Sequence, residues 1–179
     1  MEAATVEATA QSTKPKIVGP KDGKAGSLGA VGVRFMIDGA ETNGDFSLVE
    51  HPMPPRQLAA PVHIHTREDE YSYVLSGRMG ALLGDEVVYA EPGDLVFKPR
   101  NQWHTFWNAG DTECRILEII SPAGFEKFFE ALADMNAAGP PDPEKLVALA
   151  DEYGHYYDLE ATQRVIAEHG LSFPLVMED

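Results

Sequence analysis

Four residues constrain this chain more than any others: His63, His65, Glu70 and His104. His63 and His65 are two apart, and on a strand that spacing points both side chains to one face. Glu70 follows after four intervening residues, and His104 comes 39 positions after His65, inside a second apolar run. Three imidazoles and one carboxylate form a ligand set for a divalent transition metal. A lone histidine on an apolar strand is ordinarily a packed or hydrogen-bonded residue, but the joint spacing of these four argues against that. Glu68 rivals Glu70 within the run Glu68-Asp69-Glu70, and the four-residue gap favours Glu70. Glu68 and Asp69 then read as solvated loop charges or acceptors for a histidine N–H.

The segments around these residues read as short strands punctuated by turns. Gly32–Ile37, Phe46–Glu50, Glu70–Ser76, Met79–Leu83, Glu86–Ala90, Leu95–Lys98, Trp103–Trp107 and Arg115–Ile120 are rich in β-branched and aromatic residues. Gly84-Asp85 is a hairpin turn, and Pro52, Pro54 and Pro55 read as a loop that interrupts the ladder. Eight or so short strands with turns this dense indicate an all-β barrel or jelly roll.

The wider pattern resembles the cupins. Their first motif is a glycine, five residues, His-x-His, three or four residues, Glu, six residues and Gly. His63, His65, Glu70 and Gly77 match it, with Gln57 in place of the leading glycine. The second motif is matched by Gly93, Pro99, His104 and Asn108, with Asn101 in place of an inner glycine. Asn tolerates a left-handed backbone better than most residues, so that departure is mild. The run Ser121–Glu130, S-P-A-G-F-E-K-F-F-E, is further similar to single-domain, quercetinase-like bacterial cupins.

The resemblance implies a mainly β fold, a double-stranded β-helix (jelly-roll barrel) with a C-terminal α-helical extension. It implies one divalent transition metal per chain (Ni, Co, Mn, Fe, Cu or Zn) held by His63, His65, Glu70 and His104. It further implies a dioxygenase that oxidises a flavonol-like or other enolisable aromatic substrate with O2, Glu70 serving as metal ligand and general base. The alternatives are a metal-dependent isomerase or hydrolase, and a non-catalytic cupin that binds a small ligand. Ser72 shares the face of Glu70, and Phe97 and Phe106 share the parity of the metal face, so these three are the substrate-binding candidates. Tyr71, Tyr73 and Leu75 then point outward, onto the C-terminal helices or a second subunit, and a homodimer is expected.

Three units are expected: a flexible N-terminal arm at 1–25, the barrel at 26–121, and helices packed on the barrel at 122–179. Phe125, Phe128, Phe129, Leu132 and Met135 recur at helical spacing after a Ser121-Pro122 cap. Asp142-Pro143 starts a second helix, and Asp158 to His169 is a third, ended by Gly170. His51 reads as a loop residue, and His155 and His169 as helix-end residues. Trp103 and Trp107 are read as facing outward into packing or an interface, and Arg56, Arg67 and Arg100 as exposed loop residues in preference to contacts for an anionic substrate at the barrel mouth. The net charge of −15 argues against nucleic acid or an anionic membrane as partner, leaving a small-molecule substrate and O2. The single cysteine, Cys114, rules out an internal disulfide, and a cytoplasmic location is expected. No apolar run is long enough to span a bilayer, and no basic, apolar leader opens the sequence.

Overall fold

The structure is a computed structural model and describes residues 14–174. The arm expected at 1–25 therefore lies mostly outside the described residues. Its last residue, Ala25, opens strand β1 (Ala25–Ser27), which pairs with β2 (Gly32–Ile37). A 3-10 turn at Gly39–Thr42 leads to β3 (Ser47–Met53), and β4 (Val62–His65) follows. Then come β5 (Asp69–Ser76), β6 (Met79–Leu83), β7 (Glu86–Ala90) and β8 (Leu95–Lys98). The barrel is completed by β9 (His104–Asn108) and β10 (Cys114–Ser121).

Two antiparallel sheets form this jelly roll. One has the order β1-β2-β3-β10-β5-β8. The other contains β4-β9-β6-β7, extended by a strand from the C-terminal region, β11 (His155–Asp158), which pairs with β4. The C-terminal region is thus not helical throughout. Helices α1 (Glu126–Ala138), α2 (Pro143–Glu152) and α3 (Leu159–His169) flank that strand. Asp142 and Asp158 cap α2 and α3 through bonds to the Glu144 and Ala161 N–H groups, and Gly170 ends α3 in the left-handed region. No such cap serves α1, which starts at Glu126 instead of at Ser121-Pro122. Its first turn is held by Glu126 itself, whose carboxylate accepts the N–H groups of Gly39 and Gly124.

Period-two alternation decides what each strand buries. On β10, Cys114, Ile116, Glu118 and Ile120 are buried, while Arg115, Leu117, Ile119 and Ser121 are partly exposed. Gly84-Asp85 makes the two-residue turn between β6 and β7, with Leu83 paired to Glu86. Asn101 takes a left-handed φ of 62° and donates its N–H to the His65 carbonyl, tying the turn after β8 to β4. Asn108 donates to the carbonyls of Met53, Pro54 and Thr112 and so clasps two loops at one barrel end.

Three expectations need correction here. Pro52 does not break the ladder: it lies within β3, paired with Arg115 of β10. Pairing of β3 with β2 reaches only to Glu50, so the missing N–H at Pro52 leaves no carbonyl on that side unpaired. His51, beside it, is buried, and its Nδ1 donates to the Gly32 carbonyl. The outer face of β5 and β8 is not covered by the helices either: Tyr73, Leu75, Leu95 and Phe97 are 39–56% exposed. The helices pack at another place, where Phe125 and Phe128 join Val33, Val49 and Ile120 in a buried cluster.

Among the described residues no helix is long and apolar enough to cross a membrane.

Candidate metal centre

His63 and His65 lie on β4, His104 is its neighbour on β9, and Glu70 reaches across from β5 in the opposite sheet. His63 is the Cα partner of His104 in the β4–β9 ladder, which sets two imidazoles side by side. All four side chains are buried, and one potential ligand atom from each lies within 4.8 Å of the others. Ligand bonds of about 2.0–2.2 Å put opposed donors of a single ion roughly 4 Å apart, so a modest inward draw brings these four onto one ion.

Their hydrogen bonds prepare the imidazoles for that task. His63 Nδ1 donates to the Pro61 carbonyl (2.7 Å) and His104 Nδ1 to the Gln102 carbonyl (2.9 Å). A carbonyl can only accept, so the proton sits on Nδ1 and the lone pair on Nε2, the tautomer a metal ligand needs. Nε2 of His104 and of His65 is buried without a hydrogen-bond partner. Each stands 3.5 Å from a Glu70 oxygen, at the outer limit of a hydrogen bond. Orphaned buried nitrogens are costly, and two of them aimed at one carboxylate fit a cation in the space between. The residues present therefore suit a divalent transition metal.

Electrostatics keep the donors ready. Burial, then the neighbouring histidines, hold His63 well below its ordinary range, and burial pushes His65 down to about 4. Glu70 is raised by burial, but Lys98, His65 and His104 outweigh that and keep its carboxyl well below the usual carboxylate range. At neutral pH the His63 and His65 rings are uncharged and Glu70 is ionised, as coordination requires.

Several groups around the cluster escaped the sequence reading. Lys98 is fully buried, with Nζ 2.9 Å from Glu70 Oε2 and 3.0 Å from Glu118 Oε2. Burial and the nearby Glu70 raise Glu118 to about 7 against the pull of Lys98. For Glu118 the signal was a charge alternating with Ile116 and Ile120, whereas the inward direction of Lys98 comes from its pairing with Glu70. His155 is not a helix-end residue. It is the Cα partner of His65, its ring stacks on His65 at 4.7 Å, and its Nε2 is buried without a partner. Phe125 of the C-terminal region meets the His65 ring edge-on at 4.3 Å. Glu68 is buried beside His65 with 3.8 Å between Oε2 and Nδ1, and burial raises its carboxyl to about 7.

The substrate-binding candidates fare differently. Ser72 faces inward and donates to Glu118. Phe106 is buried, with Lys98 Nζ 4.3 Å above its ring. Phe97 does not face the cluster. Its Cα partner is Tyr71, on whose ring it stacks at 4.9 Å on the exposed side, because pairing of Lys98 with Glu70 turns the neighbouring residue outward. Trp107 points away from the metal and is buried in packing against His169 of α3, as its parity implies. Two surface clefts, one between β1 and α1 and the other beside β2, are not lined by any cluster residue.

Buried histidines predict acid sensitivity. His51, held at about 4 by burial, keeps its proton off while an unfolded chain takes one up near 6.5. The unfolded state binds more protons between those values, so stability contributed above pH 6.5 is lost as pH falls towards 4. The loss is about 3 kcal/mol for this ring. In His51→Gln it disappears, so urea unfolding from neutral pH down to about pH 4 will show the variant gaining on its parent by that amount. Parallel curves would contradict it.

Residues 50–120 match the family model described as Cupin domain. No curated protein matches the sequence. Among solved structures the chain is similar to KdgF from Halomonas sp., with a TM-score of 0.56 and 16% identity over 64% of this chain and 99% of that one. It is similar to the polyketide cyclase RemF from Streptomyces resistomycificus, with a TM-score of 0.52 and 31% identity over 60% of this chain and 80% of that one. A third is Pac13 from Streptomyces, a nucleoside dehydratase, with a TM-score of 0.51 and 16% identity over 64% and 88%. The first and third likenesses concern the fold alone.

Proposed function

The chain belongs to the cupin superfamily, and on that premise we propose that it is a metal-dependent dioxygenase of a flavonol-like or other enolisable aromatic substrate. The observation that carries this reading is the buried set of three histidines and Glu70, with two Nε2 atoms left unpartnered. A bound divalent ion would supply Lewis acidity, lowering the pKa of a substrate hydroxyl.

The chain's own residues supply the rest. His63, His65 and His104 present ring nitrogens, and backbone carbonyls hold the Nδ1 atoms of His63 and His104 so that Nε2 faces the cluster. Glu70, ionised at neutral pH, accepts the substrate's hydroxyl proton at a carboxylate oxygen. Phe106 and Ser72 lie on the inner wall beside it. The burial of all four donors keeps bulk water from the proton being moved.

Oxygen uptake tests the proposal. Metal-loaded protein with a flavonol will consume dioxygen in proportion to flavonol lost, and Glu70→Gln will slow uptake by about 100-fold or more. A redox-neutral reaction is the second reading, favoured by the 31% identity to a polyketide cyclase. Substrate turnover without oxygen uptake would select it. No turnover of catechols, flavonols or diketones would remove both in favour of a ligand-binding cupin.

A further inference from the structure

Lys98 and Glu118 place a second charged layer behind Glu70. β5 and β8 pair Glu70 with Lys98, so both side chains leave the same face of the sheet. The Lys98 ammonium is fully buried and spends one donor on Glu70 Oε2 and another on Glu118 Oε2, while the ring of Phe106 lies 4.3 Å from Nζ. Ser72 Oγ holds Glu118 in turn, 3.1 and 2.9 Å from its two oxygens. Each member is fixed by the next, and the ammonium has no room to swing away.

This arrangement makes the two oxygens of Glu70 unequal. Both face the cluster, Oε1 towards His65 Nε2 and Oε2 towards His104 Nε2 at 3.5 Å each, but only Oε2 is also paired with the Lys98 ammonium, at 2.9 Å. We propose that Lys98 is a positioning residue that holds Glu70 to one-oxygen coordination, keeping an extra position on the ion open and its affinity low. The proposal rests on the reading of the cluster as a metal centre. Its physical basis is twofold. A carboxylate oxygen already bonded to an ammonium is a weaker donor to a cation. An ammonium fixed behind a ligand also repels the dication in a poorly screened interior.

The consequence has an unusual sign: removing this buried residue tightens metal binding. Purified metal-free protein is titrated with cobalt(II), following affinity and visible absorption. Six-coordinate cobalt(II) absorbs weakly, and complexes with fewer ligands absorb more strongly. In Lys98→Met the dissociation constant is expected to fall by about tenfold or more, the effect of one like charge removed from a buried site. The visible band should weaken as Glu70 turns both oxygens to the ion. Lys98→Met also strands Glu118, so the double variant Lys98→Met/Glu118→Gln is made beside it. With the titrations run above pH 7, where Glu118 is ionised, one positive and one negative group leave together in the double variant and the pocket keeps its net charge. Any weakening of the band there therefore reports the freed Glu70 oxygen alone.

A Lys98 that merely supports the fold gives the opposite: equal or weaker cobalt affinity in both variants with the parent's spectrum, which overturns the proposal while leaving the metal centre intact. A parent protein that takes up no cobalt overturns the metal reading itself, and this inference with it.

Discussion

His104→Ala protein, expressed beside its parent in metal-supplemented medium, will hold less than about a tenth of the parent's transition metal, because losing even the outer partner of a ligand costs about 10–100-fold in affinity. His104 contributes one of four donors, and its Nε2 has no other partner. The change leaves β9 intact, since the backbone at this position pairs with Leu83 and His63 whatever side chain it carries. The removed ring stood 4.3 Å from His63 and 5.5 Å from His65, centroid to centroid, so the remaining donors face a gap. Elemental analysis together with circular dichroism checks this: metal falls while the β spectrum persists. Unchanged metal content would show that the ion, if any, is held elsewhere.

Phe125→Ala will lower both stability and metal affinity. Phe125 is 1% exposed, stacks on Phe128 at 4.8 Å and meets Phe129 and His155 at 5.0 Å each. Truncating such a ring costs about 3–5 kcal/mol. For a chain of this length that is a fall in Tm of roughly 10 °C. The effect on metal follows from how His65 is held. His63 and His104 are anchored by carbonyls, but neither nitrogen of His65 has a hydrogen bond, so ring packing is the main restraint on its orientation between the Glu68 and Glu70 carboxylates. Phe125, edge-on at 4.3 Å, and His155, stacked at 4.7 Å, supply that packing and touch each other as well. Thermal unfolding and a cobalt titration read the two effects separately. A fall in Tm with unchanged affinity would make Phe125 a core residue only.

These dependencies explain what the sequence could and could not disclose. The four donors were legible because a strand's period of two and the turn spacing after His65 leave few alternatives for their direction. Phe97 was misread because strand phase does not carry across the turn from Pro99 to Trp103. Only pairing with Glu70 reveals that Lys98, and not Phe97, faces inward. His51 was hidden by its neighbour Pro52, whose usual strand-breaking effect is void where β3 has a partner on one side only. His155 sits in a four-residue strand between two helices, too short for alternation to show, and its place beside His65 is set by long-range pairing. Lys98 and Glu118 look like surface charges until the sheets fold over them. The barrel itself was readable from the density of short strands and turns, and the C-terminal strand that extends it was not.

The central claim is that His63, His65, Glu70 and His104 meet on one ion. X-ray absorption of the cobalt-loaded protein tests it most directly. The expected result is about one cobalt per chain, with imidazole scattering from three rings and oxygen from a carboxylate in its coordination sphere. Uptake far below one ion per chain, or a coordination sphere without imidazole, would contradict it.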